Sequence, residues 1–251
     1  MRIKFLDRIA KKNTFTFEEA LKISDIDRKT FWTILSRLEK NGWIERIEKG
    51  KYMIVPLGAE KGKYTLNEFV IGSILVNPYA IAYWSALHFY GLTEQIPNTV
   101  FIQTTARKKR QNIKVFDVSY KVVRTKETKF FGIRKEWIEE TQISITDKEK
   151  TVIDCLDKPQ YSGGIVEVAK ALKNGRFDTD KLVIYANKIG NSGVTRRLGF
   201  LCKFLEIEIN LPKINTRNYL YLDPTMPPQG RKNSEWRLII NLDEKVLEAL
   251  E

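Results

Sequence analysis

A chain of 251 residues, 43% of them hydrophobic, is long enough for two domains with packed cores. Its 43 Lys/Arg against 31 Asp/Glu give a net charge of +12, which favours a polyanionic partner. No apolar run approaches the roughly 20 residues that span a bilayer, and the charged start MRIKFLDRIAKKN breaks any secretory h-region. The two cysteines, Cys155 and Cys202, lack metal-ligand spacing and read as buried, reduced thiols of a cytoplasmic protein.

Residues 3–11 read as an amphipathic helix with Ile3, Leu6 and Ile9 turned inward. Thr16 and Glu19 have capping-box spacing in front of a short helix, Phe17 to Leu21. Ser24-Asp25 forms a turn, Asp27 caps a second helix from Arg28 to Asn41, and Gly42 stops it. Phe31, Ile34, Leu35 and Leu38 form its apolar stripe, while Arg28, Lys29, Thr30, Thr33, Ser36 and Arg37 are its polar side. Two alternating runs follow, Trp43 to Glu48 and Lys51 to Val55, joined at Lys49-Gly50, where glycine supplies the positive φ of a tight hairpin. Helix, turn, longer helix and basic-tipped hairpin read in that order as a winged helix-turn-helix. Its polar helix face enters a major groove, and Lys49 and Lys51 lie on the backbone or in the minor groove. A solvated polar face is the plainer account of any one of these elements; their order together favours DNA.

Pro56 closes this unit, 1–56, and the Gly- and Lys-containing stretch Leu57 to Lys63 reads as a linker to a second unit at 64–251. There Thr65 or Asn67 caps a helix to about Val76, which Asn77-Pro78 breaks. Tyr79 to Leu92 reads as one buried helix, with Tyr83, Trp84, Leu87 and Tyr90 in the core and His88 packed on one satisfied hydrogen bond. Strands are expected at Val100 to Thr104, Ile113 to Arg124, Phe130 to Trp137 and Thr141 to Ile145, with a polar turn from Thr125 to Lys129. Asp147 or Thr146 caps a helix, Lys148 to Leu156, that Pro159 closes. Helices Ile165 to Lys173, Thr179 to Ile189 and Ser192 to Leu205 follow, then a last strand, Tyr219 to Leu222, and a Pro/Gly-rich loop, Thr225 to Arg231. Strands and helices do not alternate. The predicted class is therefore α+β: an N-terminal winged helix-turn-helix plus a larger C-terminal domain of helices and a mainly antiparallel sheet.

Charge is concentrated. Residues 1–56 hold 13 Lys/Arg and 8 Asp/Glu, and residues 101–135 hold 11 and 2. Arg107, Lys108, Lys109 and Arg110 join the candidate DNA contacts if both zones face one side. His88 is the single histidine, so no His/Cys cluster offers a metal site. There is no Walker loop, Ser162-Gly163-Gly164 lacks the lysine of a phosphate cradle, and no G-x-S-x-G elbow is present. One pattern is compatible with an enzyme: Asp117 followed by Glu127-Thr128-Lys129, the acid and acid-x-Lys of restriction-type nucleases that hold Mg²⁺. The triplet falls in a turn rather than a strand. The expectation is no enzymatic activity, no cofactor and no metal. The competing class is a metal-dependent nuclease or DNA-repair enzyme targeted by a winged helix, and a third is a protein-interaction adaptor.

Three segments together resemble the AbiEi antitoxins over about residues 1–205: LSRLEKNGWIERIEKGKYMIVP (Leu35 to Pro56), NPYAIAYWSALHFYGLTEQIP (Asn77 to Pro97) and SITDKEKTVIDCLDKPQYSGGIVEVAKAL (Ser144 to Leu172). The resemblance implies a transcriptional regulator of an AbiE-type, type IV toxin–antitoxin system. Its N-terminal domain would bind inverted repeats in its own promoter and repress it. Its C-terminal domain would neutralise a nucleotidyltransferase toxin without a stable complex. The DNA-contact role falls on the polar face between Arg28 and Lys40 and on the wing, and nothing in the second and third segments is implied to be catalytic. The partners so implied are double-stranded DNA and that toxin, with no membrane.

Overall fold

The computed structural model describes residues 13–56, 66–243 and 245–246. The helix expected at 3–11 and the linker Leu57 to Lys63 lie outside them. The first unit runs β1 (Thr14–Thr16), α1 (Phe17–Ser24), α2 (Arg28–Lys40), β2 (Ile44–Glu48) and β3 (Lys51–Ile54). The capping box is formed: Thr16 Oγ1 accepts from the Glu19 N–H at 3.2 Å, and the Thr16 N–H donates to Glu19 Oε2 at 2.9 Å. α1 continues three residues beyond the expected Leu21, because Ser24 Oγ donates back to the Leu21 carbonyl at 2.9 Å and Asp25 then turns the chain at φ 54°. Aspartate tolerates that left-handed backbone better than most residues. Asp27 caps α2 by accepting from the N–H groups of Lys29 and Thr30, both at 3.0 Å. The three strands form one antiparallel sheet in the order β1-β3-β2. Phe31, Leu35 and Leu38 of α2 close a small core with Phe15, Phe17, Ala20, Ile44 and Tyr52.

The second unit is built on a six-stranded sheet in the order β6-β7-β5-β4-β9-β8. These are β4 (Ala80–Ile81), β5 (Thr99–Thr104), β6 (Asn112–Val115), β7 (Val118–Arg124), β8 (Ile133–Ile138) and β9 (Thr141–Thr146). The β5/β7 and β4/β9 pairings are parallel and the other three antiparallel, so the sheet is mixed with an antiparallel majority. One face packs on α3 (Glu68–Leu75), which Asn67 caps through Phe69 N–H at 2.9 Å. Ile47 and Met53 of the first unit's hairpin are buried in this same core, beside Val70, Leu75, Ile102 and Ile143. The other face packs, through Phe101 and Val123, on α4 (Tyr83–Phe89), α5 (Lys148–Asp157), α6 (Ile165–Asn174), α7 (Thr179–Ile189) and α8 (Ser192–Phe204). Cys155 and Cys202 are free and buried there, and burial pushes the Cys202 thiol up to about 12, far from the reactive range.

Three expectations need correction. Tyr79 to Leu92 is not one helix: Ala80–Ile81 pairs between β5 and β9, Ala82 is extended (φ −149°, ψ 178°) and Tyr83 is left-handed (φ 56°). A helix cannot cross those two residues, and α4 keeps only seven. Ile113 to Arg124 is not one strand: the chain reverses at Phe116 (φ 52°) and Asp117, pairing Val115 with Val118. No Asn-Gly or Asp-Gly pair marks that hairpin in the sequence. His88 lies half-buried on α4 with its Nδ1 lacking a hydrogen-bond partner among the described residues, not satisfied as expected.

A small sheet, β10 (Leu220–Tyr221), β11 (Arg231–Asn233) and β12 (Leu238–Ile240), follows the helices. Only the first strand was expected. Just after β10, Asp223 Oδ2 accepts from the Ile165 N–H at 2.7 Å and so caps α6 from across the chain. Gly164, at φ 90°, makes this possible, since a Cβ there would stand 2.7 Å from that oxygen. The glycine pair therefore serves a helix N-terminus and not a phosphate. Gly164→Ala combines backbone strain with loss of the cap and is expected to cost about 2–3 kcal/mol. In a chain of this size that is a fall in Tm of roughly 4–12 °C, readable by thermal denaturation.

Candidate nucleic-acid interface

The outward side of α2 follows from its inward side. At 100° per residue, Lys29, Thr33, Ser36 and Lys40 fall on one line opposite Phe31, Leu35 and Leu38, with Thr30 and Arg37 on its shoulder. All six are exposed, and Thr33 Oγ1 is held to the Lys29 carbonyl at 3.3 Å. Lys40, which ends the polar face implied by the AbiEi resemblance, completes this line at the same helical spacing. Arg28 sits differently. Its guanidinium grips Glu18 through two contacts, at 2.6 and 3.2 Å, and lies 4.9 Å from the Phe17 ring centroid. Its charge is already matched within the protein.

Phe17 connects this helix to the hairpin tip. Its N–H donates to the Gly50 carbonyl at 2.7 Å, and its ring stacks on Trp32 at 4.3 Å and leans on Phe31 at 5.3 Å. Gly50 takes φ 74°, as the tight turn requires. The exposed Lys49 is thereby held beside the α1–α2 pair.

Lys51 and Lys108 are not placed for phosphate. Lys51 Nζ lies 2.9 Å from Glu48 Oε2 and 2.6 Å from the Leu75 carbonyl. Lys108 Nζ reaches the same carboxylate at 2.9 and 3.2 Å and the same carbonyl at 2.7 Å. Their side chains are only 20% and 14% exposed. Two ammonium groups converge on one carboxylate and the free C-terminal carbonyl of α3, where each finds charge-assisted hydrogen bonds. This pin draws the loop carrying Arg107, Lys109 and Arg110, all exposed, against the hairpin. The two basic zones of the sequence are adjacent in space.

Burial pushes the Lys51 ammonium down. Burial alone would raise the Glu48 carboxyl, but the hydrogen bonds from Lys51 and Lys108 outweigh it and hold the carboxyl below its usual range. A carboxyl depressed in the folded state contributes stability above its unfolded pKa and loses it as pH falls through the folded value. Glu48→Gln is expected to cost about 1–3 kcal/mol near neutrality, since it leaves two half-buried ammonium groups without their anion. The difference from the parent should vanish on acidification; urea midpoints at several pH values measure it.

The nuclease-like residues are not brought together. Asp117 lies in the turn before β7 and Glu127 in a 3₁₀ turn (Glu127–Lys129) after it, at opposite ends of a strand roughly 20 Å long. Lys129 Nζ is bound to Asp157 at 2.8 and 2.9 Å. Among the described residues no group of three or more His, Cys, Asp or Glu is placed to hold a metal ion, and no helix is long and apolar enough to cross a membrane.

Among the described residues the first unit runs strand, helix, turn, helix and hairpin, the order of a helix-turn-helix domain within an α+β chain. The family described as "Transcriptional regulator, AbiEi antitoxin" matches residues 4–55, which supports the AbiEi resemblance of the sequence. Among solved structures the chain is similar to the RV2827C protein from Mycobacterium tuberculosis, with a TM-score of 0.64 and 13% identity over 98% of this chain and 94% of that one. At that identity the likeness is one of fold. No curated protein matches the chain.

Proposed function

We propose that the protein is a DNA-binding transcriptional regulator of the AbiEi antitoxin type. In this reading residues 1–56 are a winged helix-turn-helix DNA-binding domain and residues 64–251 an α+β antitoxin-type domain. The observation that carries it is the outer face of α2, exposed along its length and held beside the basic tip of the β2–β3 hairpin. The sheet order β1-β3-β2, with the hairpin directly after the second helix, supports the winged form. α2 lies in the major groove with Lys29, Thr30, Thr33, Ser36 and Arg37 toward the bases and Lys40 toward the backbone. Lys49, Arg107, Lys109 and Arg110 meet phosphates on either side. Lys51 and Lys108 hold the two basic zones together instead, and Arg28, paired with Glu18, is the least available of the exposed cations on α2.

The site is inverted repeats in the protein's own promoter, which it represses, and the second domain neutralises a nucleotidyltransferase toxin. No catalysis is part of the proposal. The test is fluorescence anisotropy of the full chain on a duplex from upstream of its gene and on a scrambled duplex, across a salt series. Preference for the promoter duplex is expected, with log K falling against log salt by about 0.9 for each phosphate neutralised. Equal affinity for both duplexes would remove the regulator reading.

A further inference from the structure

Among the described residues the buried cations are Lys150, Arg196 and Arg197. A buried charge is costly unless an opposite charge meets it. Lys150 has Asp154, and Arg197 has Asp223 and Asp157 near enough to favour its charged form. Arg196, at 2% exposure, has no such partner. Its Nη1 donates to the Asn218 carbonyl at 3.2 Å, and its Nη2 to Asn218 Oδ1 at 3.1 Å and Ser192 Oγ at 3.4 Å, all of them neutral acceptors. Its Nε has no partner among the described residues. Burial pushes the pKa of this guanidinium down, and no carboxylate opposes that.

Arg196 also lines a cavity of about 510 Å³ between the first turns of α8 and the chain from Pro212 to Asn218. No acidic residue lines this cavity among the described residues. Lys213 does line it, exposed and without an ion pair among the described residues. Thr195 adds a hydroxyl to the same wall. The positive end of the α8 dipole points the same way as these two cations. The space is thus bounded by positive charge that nothing within the chain offsets.

We propose that this cavity binds a small phosphate-bearing molecule. A phosphate carries enough negative charge to offset Arg196 and Lys213 together, where a single carboxylate offsets one of them. It is also the anion that guanidinium and ammonium groups jointly hold best. The cavity is larger than a bare phosphate needs, and Pro212 and Ile214 give the body of an ester an apolar wall. The site lies on α8 and the chain that follows it, so the inference does not rest on DNA binding by the first unit.

The full chain is tested by titration calorimetry and thermal denaturation with inorganic phosphate and with ribose 5-phosphate, sodium chloride holding the ionic strength constant. Saturable binding is expected, with Tm rising as the bound form fills. Arg196→Gln removes the charge but keeps a donor for the Asn218 carbonyl, and it should abolish saturable binding. Lys213→Ala should leave the ligand-free Tm unchanged and weaken binding roughly tenfold, as loss of a hydrogen bond between charged groups does. Lys22→Ala, at an exposed lysine of α1, should change neither. Tighter binding of the ester than of the free ion assigns the site to an ester, and the reverse assigns it to phosphate itself; both support the proposal. No saturable binding of either probe to the parent overturns it. So does binding that survives both Arg196→Gln and Lys213→Ala, or an equal loss in Lys22→Ala, which would mark a general effect of the basic surface. Where Arg196→Gln does not fold, the contrast between Lys213→Ala and Lys22→Ala decides alone.

Discussion

Lys150→Met is expected to remove about 3–5 kcal/mol of folding stability, because it leaves a buried carboxylate without its counter-charge. Lys150 and Asp154 stand one turn apart on α5, at 0% and 2% exposure, with Lys150 Nζ donating to Asp154 Oδ1. The same ammonium lies 4.7 Å from the Phe131 ring centroid. Asp154 Oδ2 has no partner among the described residues. Burial already pushes the Asp154 carboxyl up, even with the lysine in place. Without the lysine the push is stronger. A carboxyl raised in the folded state holds its proton more tightly there than in the unfolded chain, so stability falls as pH rises from the unfolded value through the folded one.

The loss in Lys150→Met should therefore be smallest in acid and grow toward neutrality. Replacing both partners by apolar residues, Lys150→Met with Asp154→Leu, should recover most of it. Urea unfolding of the parent, single and double variants across a pH series measures both effects. A loss equal at every pH would mean that packing, not charge, is what the lysine provides.

Arg37→Ala and Thr33→Ala are expected to narrow the gap between promoter and scrambled DNA by about 1–3 kcal/mol, or roughly 5- to 150-fold, where a base contact is lost. Lys49→Ala should weaken both duplexes alike and lower the salt slope by about 1, as a phosphate contact does. Arg28→Ala should do less than its position at the start of α2 implies, because Glu18 and Phe17 already occupy its guanidinium. Anisotropy on the two duplexes across salt separates these outcomes. If neither α2 variant changes the ratio of affinities, α2 is not the reader, and the loop from Arg107 to Arg110 becomes the next candidate.

What the sequence determined by itself is what short-range chemistry controls. The caps at Thr16, Asp27, Asn67 and Asp147 are made within three residues of the donor they satisfy, so side-chain identity and spacing placed the starts of α1 and α2 outright and those of α3 and α5 to within two residues, between Thr65 and Asn67 and between Thr146 and Asp147. The turn at Gly50 and the helix stop at Gly42 were legible for the same reason, since few other residues take a positive φ at little cost. The inward stripe of α2 fixed its outward face, and with it most of the candidate DNA contacts.

Tertiary structure decided whatever depends on which distant segments meet. Ala80–Ile81 is a strand because β5 and β9 flank it, although its own residues fit a helix equally well. Asp223 caps a helix 58 positions away, and β11 and β12 carry no local pattern that announces them. Lys51 and Lys108 look in sequence like any surface cations. They are turned inward only because folding brings Glu48 and the end of α3 to one point, where burial makes an unmatched ammonium costly and a shared carboxylate the nearest remedy. Charge can be counted along a chain, but its counter-charge is assigned by the fold.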